Sequence, residues 1–109
     1  MTTTPDSTTR IVARAIHALH EVFDPETGVN VWDLGLIYGV HFDKEARILQ
    51  VRMTFTTRAC PLRESMTAGV ERHLRQLEPV AEVEVHETFE PAWTPERITP
   101  EGRKALGWE

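Results

Sequence analysis

Several features that define other protein classes are missing from this chain of 109 residues. It has one cysteine, Cys60, so no internal disulfide can form, which fits a reducing cytoplasm. No apolar run approaches the roughly 18 residues that span a bilayer, and the N-terminus lacks the basic and apolar regions of a signal peptide. The net charge of −5 argues against a nucleic-acid backbone as the main partner. We therefore expect a cytoplasmic protein with no membrane and no nucleic-acid partner.

The glycines and the paired histidines also fail to form a binding pattern. Gly28, Gly35 and Gly39 match neither nucleotide-binding fingerprint. His17 and His20 lie three residues apart, but no carboxylate or third histidine follows at ligand spacing. A solvated or core-edge role is favoured for this pair over metal binding.

The composition that remains is that of an ordinary globular protein, with 40% hydrophobic and 27% charged residues. Residues 1–8 are polar and rich in threonine, which predicts a flexible tail. The length of the rest predicts a single domain over residues 9–109.

Hydrophobic periodicity predicts the elements of the first half. A helix capped by Thr8 or Thr9 runs to about Val22, and the turn residues 24–28 end it. Residues 29–35 fit a short helical turn and an extended linker equally well. Alternating apolar residues then predict strands at about 36–42 and 47–56, so close together that they should form an antiparallel hairpin.

The second half is predicted to supply a helix from Pro61 to about Leu77 and a strand over 80–88. A proline-rich irregular segment follows, and a last short helix begins at Thr99-Pro100 and is closed by Gly107. Every strand has one apolar and one polar face, so helices should cover the sheet on one side only. The sequence therefore predicts an α+β two-layer sandwich of order α-β-β-α-β, with a three-stranded sheet and a short C-terminal helix.

Cys60 stands where the second strand gives way to the helix. Pro61 fits the first helical position, because its missing N–H would be unbonded there, and this places Cys60 at or beside the N-cap. Free amides and the positive end of the helix dipole should lower the pKa of the thiol below its usual value of about 8.5, and Arg58 could act in the same direction. The alternative is a small apolar core residue, because free cysteine is among the most buried residue types.

Other polar residues support weaker interpretations. Asp24, Glu26 and Asp33 cluster around turns, where capping is a simpler role than catalysis. A thiol enzyme would need a histidine beside Cys60, and sequence spacing does not bring any candidate there. The candidates are His41, His73 and His86.

Three segments resemble the motifs of the small iron–sulfur assembly factors that include SufT and the PaaD proteins. They are residues 24–38 (DPETGVNVWDLGLIY), 53–62 (MTFTTRACPL) and 90–98 (EPAWTPERI). The resemblance covers about residues 10–107 in the right order. It implies a fold like the assembly-scaffold domains, and it implies Cys60 as the functional thiol. It also marks motif residues without an assigned role: Asp24, Glu26, Asp33, Thr56, Pro61 and Trp93.

Two departures from the family pattern qualify the resemblance. Ala92 stands where the third motif usually has a second proline, which should loosen that turn. The PaaD branch usually adds a cysteine-rich C-terminal extension, whereas this sequence stops at Glu109. The second departure favours a general assembly factor over a pathway-specific one.

The resemblance implies a non-enzymatic factor that delivers or inserts iron–sulfur clusters into client apoproteins through Cys60. Four cysteines usually hold such a cluster, so a single chain is not expected to bind one stably. A cluster could instead be shared across a homodimer through two Cys60 thiolates and two outside ligands, or be held transiently by one thiolate. The expected partners are client apoproteins and other iron–sulfur assembly proteins. The alternatives are a metal-free adaptor between clients and the assembly machinery, or a thiol or redox protein based on Cys60.

Overall fold

The computed structural model describes residues 7–108, which form a three-stranded sheet and three α-helices. Residues 1–6 of the predicted tail lie outside the described residues. Its last two residues, Ser7 and Thr8, belong to the first helix. The elements are α1 (Ser7–Leu19), β1 (Ile37–Asp43), β2 (Ile48–Met53), α2 (Arg63–Arg75), β3 (Glu82–Glu87) and α3 (Pro100–Ala105), with a 3-10 turn over Pro95–Arg97. The predicted α+β fold and element order are confirmed.

The sheet has the order β1-β2-β3, so β2 is central and the other two strands form its edges. β1 pairs with β2 as the predicted antiparallel hairpin, with Phe42 opposite Leu49. β3 pairs with β2 in parallel, with Val83 opposite Leu49. A parallel neighbour needs a crossover connection, which α2 supplies.

The core lies between the two long helices and one face of the sheet. Its apolar residues are spaced by about four along α1 and α2 and by two along β2, as the periodicity predicts. The buried set includes Ile11, Ala15, Leu19, Leu49, Val51, Met53, Met66, Val70, Leu74 and Val83. The other face of the sheet carries polar side chains that are exposed or half-buried, so the helices cover one face only.

Several predicted helix and strand ends differ from the observed ones by one to three residues, and the largest differences lie in the first half of the chain. Thr8 and Thr9 lie inside α1 instead of capping it, and this helix ends at Leu19, before the predicted Val22. β2 ends at Met53, before the predicted residue 56, and the Thr54 amide then donates to the carbonyl of Leu36, the residue before β1 (2.8 Å). Residues 31–35 form a helical turn, which decides between the two interpretations of this stretch.

All three sequence motifs meet at one end of the sheet. β2 and β3 are parallel, so the segments that follow them leave from the same end of the sheet. The antiparallel β1 begins at that end. The converging segments are residues 29–36, 54–62 and 88–99. We refer to residues 54–62 as the Cys60 loop.

Candidate functional site

The Cys60 loop is anchored to the core at its start and turns tightly before α2. Thr54 and Phe55 are buried, and the Phe55 ring lies against the ring of Phe89 with centroids 6.5 Å apart. Farther along, the Cys60 amide donates to the Thr57 carbonyl (3.3 Å), and the Ala59 amide donates to the Thr57 hydroxyl oxygen (3.0 Å). The thiol is therefore presented by a turn with its own hydrogen bonds.

The predicted helix start at Pro61 is wrong by two residues. α2 begins at Arg63, its N-cap is Leu62, and Cys60 lies two residues before that cap. The fixed φ of proline suits a tight turn as well as a first helical position, so Pro61 did not distinguish them. Leu62 has no side-chain oxygen and makes no capping bond, so the first-turn amides of α2 lack a side-chain acceptor.

The Cys60 side chain is half-buried and packs against the core at one side of a groove of about 340 Å³. The other groove residues are Arg58, Ala59, Pro61, Arg63 and Glu64. Within residues 7–108 no hydrogen bond reaches the sulfur, from a histidine or from any other group. Cys60 is thus neither a fully buried apolar residue nor a thiol activated by a neighbouring histidine.

The two arginines beside Cys60 are in different states. Arg63 is held in place, because its Nε lies 3.1 Å from Glu87 Oε1 and its Nη1 donates to the Arg58 carbonyl (2.8 Å). The Arg58 guanidinium lies over the Phe89 ring, 4.6 Å from the centroid, and pairs with no carboxylate of the described chain. Arg58 is therefore the cation at this groove whose charge is not already neutralised.

A second groove, of about 240 Å³, lies on the other side of Arg58. Thr56, Phe89 and Trp93 contribute to its lining, so this is where the structure places the predicted motif residue Thr56. Thr56 is exposed, whereas Trp93 is half-buried. The second and third motifs therefore share one surface, with Arg58 between its two grooves.

Asp33 connects the first motif to the C-terminal segment. Its Oδ1 accepts from the Thr99 hydroxyl (2.9 Å), and its carbonyl accepts from the Thr99 amide (2.9 Å). Its Oδ2 accepts from Asn30 Nδ2 (2.8 Å), while Asn30 Oδ1 accepts from the Asp33 amide (2.8 Å) and so caps the 31–35 turn. This carboxylate is already occupied by internal hydrogen bonds.

Trp93 makes a second link between the same two segments. Its indole Nε1 donates to the Leu34 carbonyl (2.8 Å). Gly35 has a φ of 75°, and a Cβ there would fall against the backbone carbonyl of Arg97. We call this set of contacts the C-terminal contact region; its residues are Asp33, Leu34, Gly35, Trp93, Arg97 and Thr99.

Asp24 and Glu26 lie in the turn that precedes the first motif's helical turn, and the structure does not bring them into contact with Cys60. Asp24 Oδ1 accepts from the Glu26 amide (2.9 Å), and Oδ2 accepts from the Thr27 hydroxyl (3.3 Å). The Glu26 side chain is exposed. The capping role expected for Asp24 is what the structure shows, in the form of an Asx turn.

Two partners of the site were not found from the sequence. Phe89, which supports both Phe55 and Arg58, follows the last strand as one more apolar residue, and nothing local marks it. Thr99 was predicted only as the cap of the last helix; it does accept from the Gly102 amide (3.0 Å), but its bond to Asp33 spans 66 residues. No periodicity or spacing rule signals a contact of that range.

The described residues contain neither a membrane-spanning helix nor a cluster of metal-binding side chains. No helix there is both long and apolar enough to span a bilayer. No three side chains among histidine, cysteine, aspartate and glutamate come together there as a ready metal site.

These features define a small α+β domain that presents one half-buried thiol in a groove at one end of its sheet. A family model described as iron–sulfur cluster assembly protein matches residues 13–85, which include β1, β2, α2 and Cys60. The chain belongs to this iron–sulfur cluster assembly protein family.

Relatives and a solved structure agree with this assignment. The chain is 37% identical to the Fe-S protein maturation auxiliary factor YitW of Bacillus subtilis over 83% of this chain and 87% of that protein. It is 33% identical to the Fe-S protein maturation auxiliary factor SufT of Staphylococcus aureus over 79% of this chain and 97% of that protein. The crystal structure of a domain of unknown function from Bacillus anthracis covers 94% of this chain and 97% of its own, with a TM-score of 0.86 and 33% identity.

Proposed function

We propose that this protein is a maturation factor for iron–sulfur proteins and that the Cys60 thiolate serves as an exchangeable ligand of a cluster in transit. Family membership and the maturation-factor names of its relatives support the first part. The second part rests on one observation: the only cysteine is half-buried at a groove, and its sulfur carries no hydrogen bond from the described residues. The cytoplasm is the compartment we propose, since thiols stay reduced there.

The ligand count defines what such a site can do. Iron–sulfur clusters are usually held by four cysteines, and this chain offers one. The remaining ligands must come from a second copy, a small thiol or the client apoprotein. We propose a homodimer-shared or transient cluster, because a site with most of its ligands outside the chain releases its cargo readily.

The charges around Cys60 suit this role. A thiolate-ligated cluster carries negative charge, and nearby cations stabilise it. Arg58 can supply that charge because it has no carboxylate partner among residues 7–108, whereas Glu87 already neutralises Arg63. The Asp24 and Asp33 carboxylates accept internal hydrogen bonds, Glu26 lies in the Asp24 turn, and none of the three is proposed as a ligand.

The proposed transfer is a ligand exchange without a change in oxidation state. Cys60 loses its proton when its sulfur binds iron, as thiol ligands do. A client cysteine thiolate then forms a new iron–sulfur bond while the bond from iron to Cys60 breaks. The Cys60 thiolate takes up a proton from solvent, and the protein returns to its starting state without having catalysed a covalent change in a substrate.

Cluster transfer with matched variants tests the proposal. The protein is incubated anaerobically with ferrous iron, sulfide and dithiothreitol, and transfer to an apoenzyme that needs a cluster is followed by its recovered activity. We expect Cys60→Ser to remove the acceleration, because a serine hydroxyl is a much poorer ligand for iron. The control is Ala59→Ser, which adds a hydroxyl in the same groove and keeps the thiol.

Two results would overturn the role of Cys60. If Cys60→Ser accelerates transfer as well as the parent, the protein is a metal-free adaptor that acts through surface contacts. If Ala59→Ser loses the effect together with Cys60→Ser, the groove matters for its shape and not for its thiol. Circular dichroism on all three proteins checks that each is folded.

A further inference from the structure

The face of the sheet that the helices leave uncovered holds a groove of about 270 Å³. Its polar lining comes from all three strands: His41 on β1, Gln50 and Arg52 on β2, and His86 on β3, with Gly39 beside them. We call this the open-face groove. It lies on the opposite side of the sheet from the core and is not part of the Cys60 surface described above.

The strand register places a cation in the middle of this groove. Arg52 on the central strand lies opposite Gly39 on one side and His86 on the other, and Gln50 lies between His41 and Glu84. The Arg52 guanidinium leans over Gly39, since a Cβ added to that glycine would come within 3.9 Å of Nη2. Gly39 has no side chain to cover the guanidinium, and Arg52 is exposed.

The acidic groups on this face are already occupied or distant. Glu84 Oε1 accepts from Gln50 Nε2 (3.1 Å) and lies 3.2 Å from His86 Nε2. Asp43 and Glu82 flank Ile48 at the far end of the strands, and Asp43 Oδ1 accepts from the amides of residues 45 and 46. Arg52 forms no ion pair with any residue from 7 to 108. Its charge and five donors are therefore available to an outside anion.

We propose that the open-face groove binds an acidic segment of a partner protein, with a carboxylate of that segment on Arg52. A guanidinium binds a carboxylate through two parallel hydrogen bonds, and His41 on β1 offers a further ring nitrogen in the same groove. An extended acidic peptide fits better than a small anion, because the groove is an open strip across three strands and not an enclosed pocket. The charge complementarity is local: Arg52 is a cation without an ion pair among the described residues, although the protein as a whole carries a net charge of −5.

The position of the groove would orient such a partner. Arg52 and His86 each lie one residue before the end of their strands, at the end of the sheet from which the Cys60 loop leaves. A protein bound to the open face would thus be held beside the end of the domain that carries the thiol. The contact itself does not use Cys60 and stands whether or not the thiol carries a cluster.

A titration of the 15N-labelled protein with a capped peptide containing three consecutive glutamates tests the proposal. At low salt we expect amide shifts centred on Gly39, Arg52 and His86. Arg52→Glu should weaken binding by at least about tenfold, the effect of losing a charge-assisted pair. Arg10→Glu is the control, because it makes the same change in net charge on exposed α1, where an acidic first turn is tolerated. Cys60→Ser should bind the peptide like the parent.

Several results would overturn the assignment. Equal weakening by Arg52→Glu and Arg10→Glu would mean that only overall charge matters. Equal binding of a peptide with glutamines in place of the glutamates would remove the carboxylate from recognition. Full displacement by citrate at the concentration of the glutamate peptide would indicate a small-anion site. Light scattering that shows a dimer dissociated by Arg52→Glu would assign the face to a second copy of this chain.

Discussion

Two regions at the same end of the sheet use their polar groups in opposite ways. In the C-terminal contact region, the Asp33 carboxylate, the Thr99 hydroxyl and the Trp93 indole all bond to other parts of the chain. In the Cys60 loop, the sulfur has no hydrogen bond from the described residues, and Arg58 meets an aromatic ring and no carboxylate. Both regions belong to the sequence motifs, and each holds an arginine over an aromatic ring, since the Arg97 guanidinium lies 4.5 Å from the Tyr38 ring centroid. The thiol without a hydrogen bond belongs to the second region.

This difference separates the motif residues Asp33 and Trp93, which stabilise the site, from Cys60, whose thiol can bind a ligand. Asp33 and Trp93 hold the first and third motifs together, and this fixes the surface on which Phe89 supports Arg58. We therefore infer that these motif residues act through stability. Three substitutions test this division, and they run from the largest expected effect on stability to the smallest.

Gly35→Ala should cause the largest loss of stability. The position combines a φ of 75° with a Cβ that would overlap the Arg97 backbone, which cannot move aside like a flexible side chain. We expect the free energy of unfolding in urea to fall by about 3 kcal/mol. Gly28→Ala is the matched control, because Gly28 has a φ of 74° and nothing within 4 Å of the added Cβ. Its expected loss is about 1 kcal/mol from strain alone; equal losses would show that the close approach at Gly35 is unimportant.

Asp33→Ala should have an intermediate effect. It removes the acceptor for the Thr99 hydroxyl and for the Asn30 side chain at a half-buried position. We expect a loss of about 2 kcal/mol, typical of hydrogen bonds to a charged group. Asp24→Ala, which removes local bonds in an exposed turn, should lose about 1 kcal/mol or less. A variant Asp33→Ala that keeps its stability but fails in cluster transfer would instead place this carboxylate in the functional site.

Arg58→Gln should have the smallest effect on stability and a clear effect on function. Its cation–π contact with Phe89 is at an exposed site and contributes about 0.5–1 kcal/mol. Loss of one nearby cation should slow cluster transfer by about fivefold, which corresponds to about 1 kcal/mol at a wet surface. Arg75→Gln, which breaks only an exposed pair with Glu71, serves as the control for transfer. A transfer rate unchanged by Arg58→Gln would contradict the proposed electrostatic role.

The sequence predicts the elements well where one periodicity dominates. The four-residue spacing of Met66, Val70 and Leu74 and the alternation of Leu49, Val51 and Met53 each match a buried face. Both patterns arise because one side of each element faces the same core. Element ends were less accurate, since Pro61 satisfies a turn and a helix start alike, and only the observed N-cap at Leu62 separates them.

The site could be predicted only in part. Cys60 and its neighbour Arg58 follow from the sequence around the end of β2, because both lie in one short segment. The state of Arg58 depends on Phe89, and the state of Asp33 depends on Thr99, so each is set by a partner from another part of the chain. Such pairs are created by the folded topology and leave no local pattern to read.

The order of the strands has a consequence for crowded solutions of this protein. β3 is an edge strand, and an unpaired edge can recruit the backbone of another molecule. Three of its six residues are glutamates, at positions 82, 84 and 87. Two copies that approached through this edge would bring two rows of negative charge within a strand spacing of each other. Electrostatic repulsion thus disfavours pairing of two copies through their β3 edges.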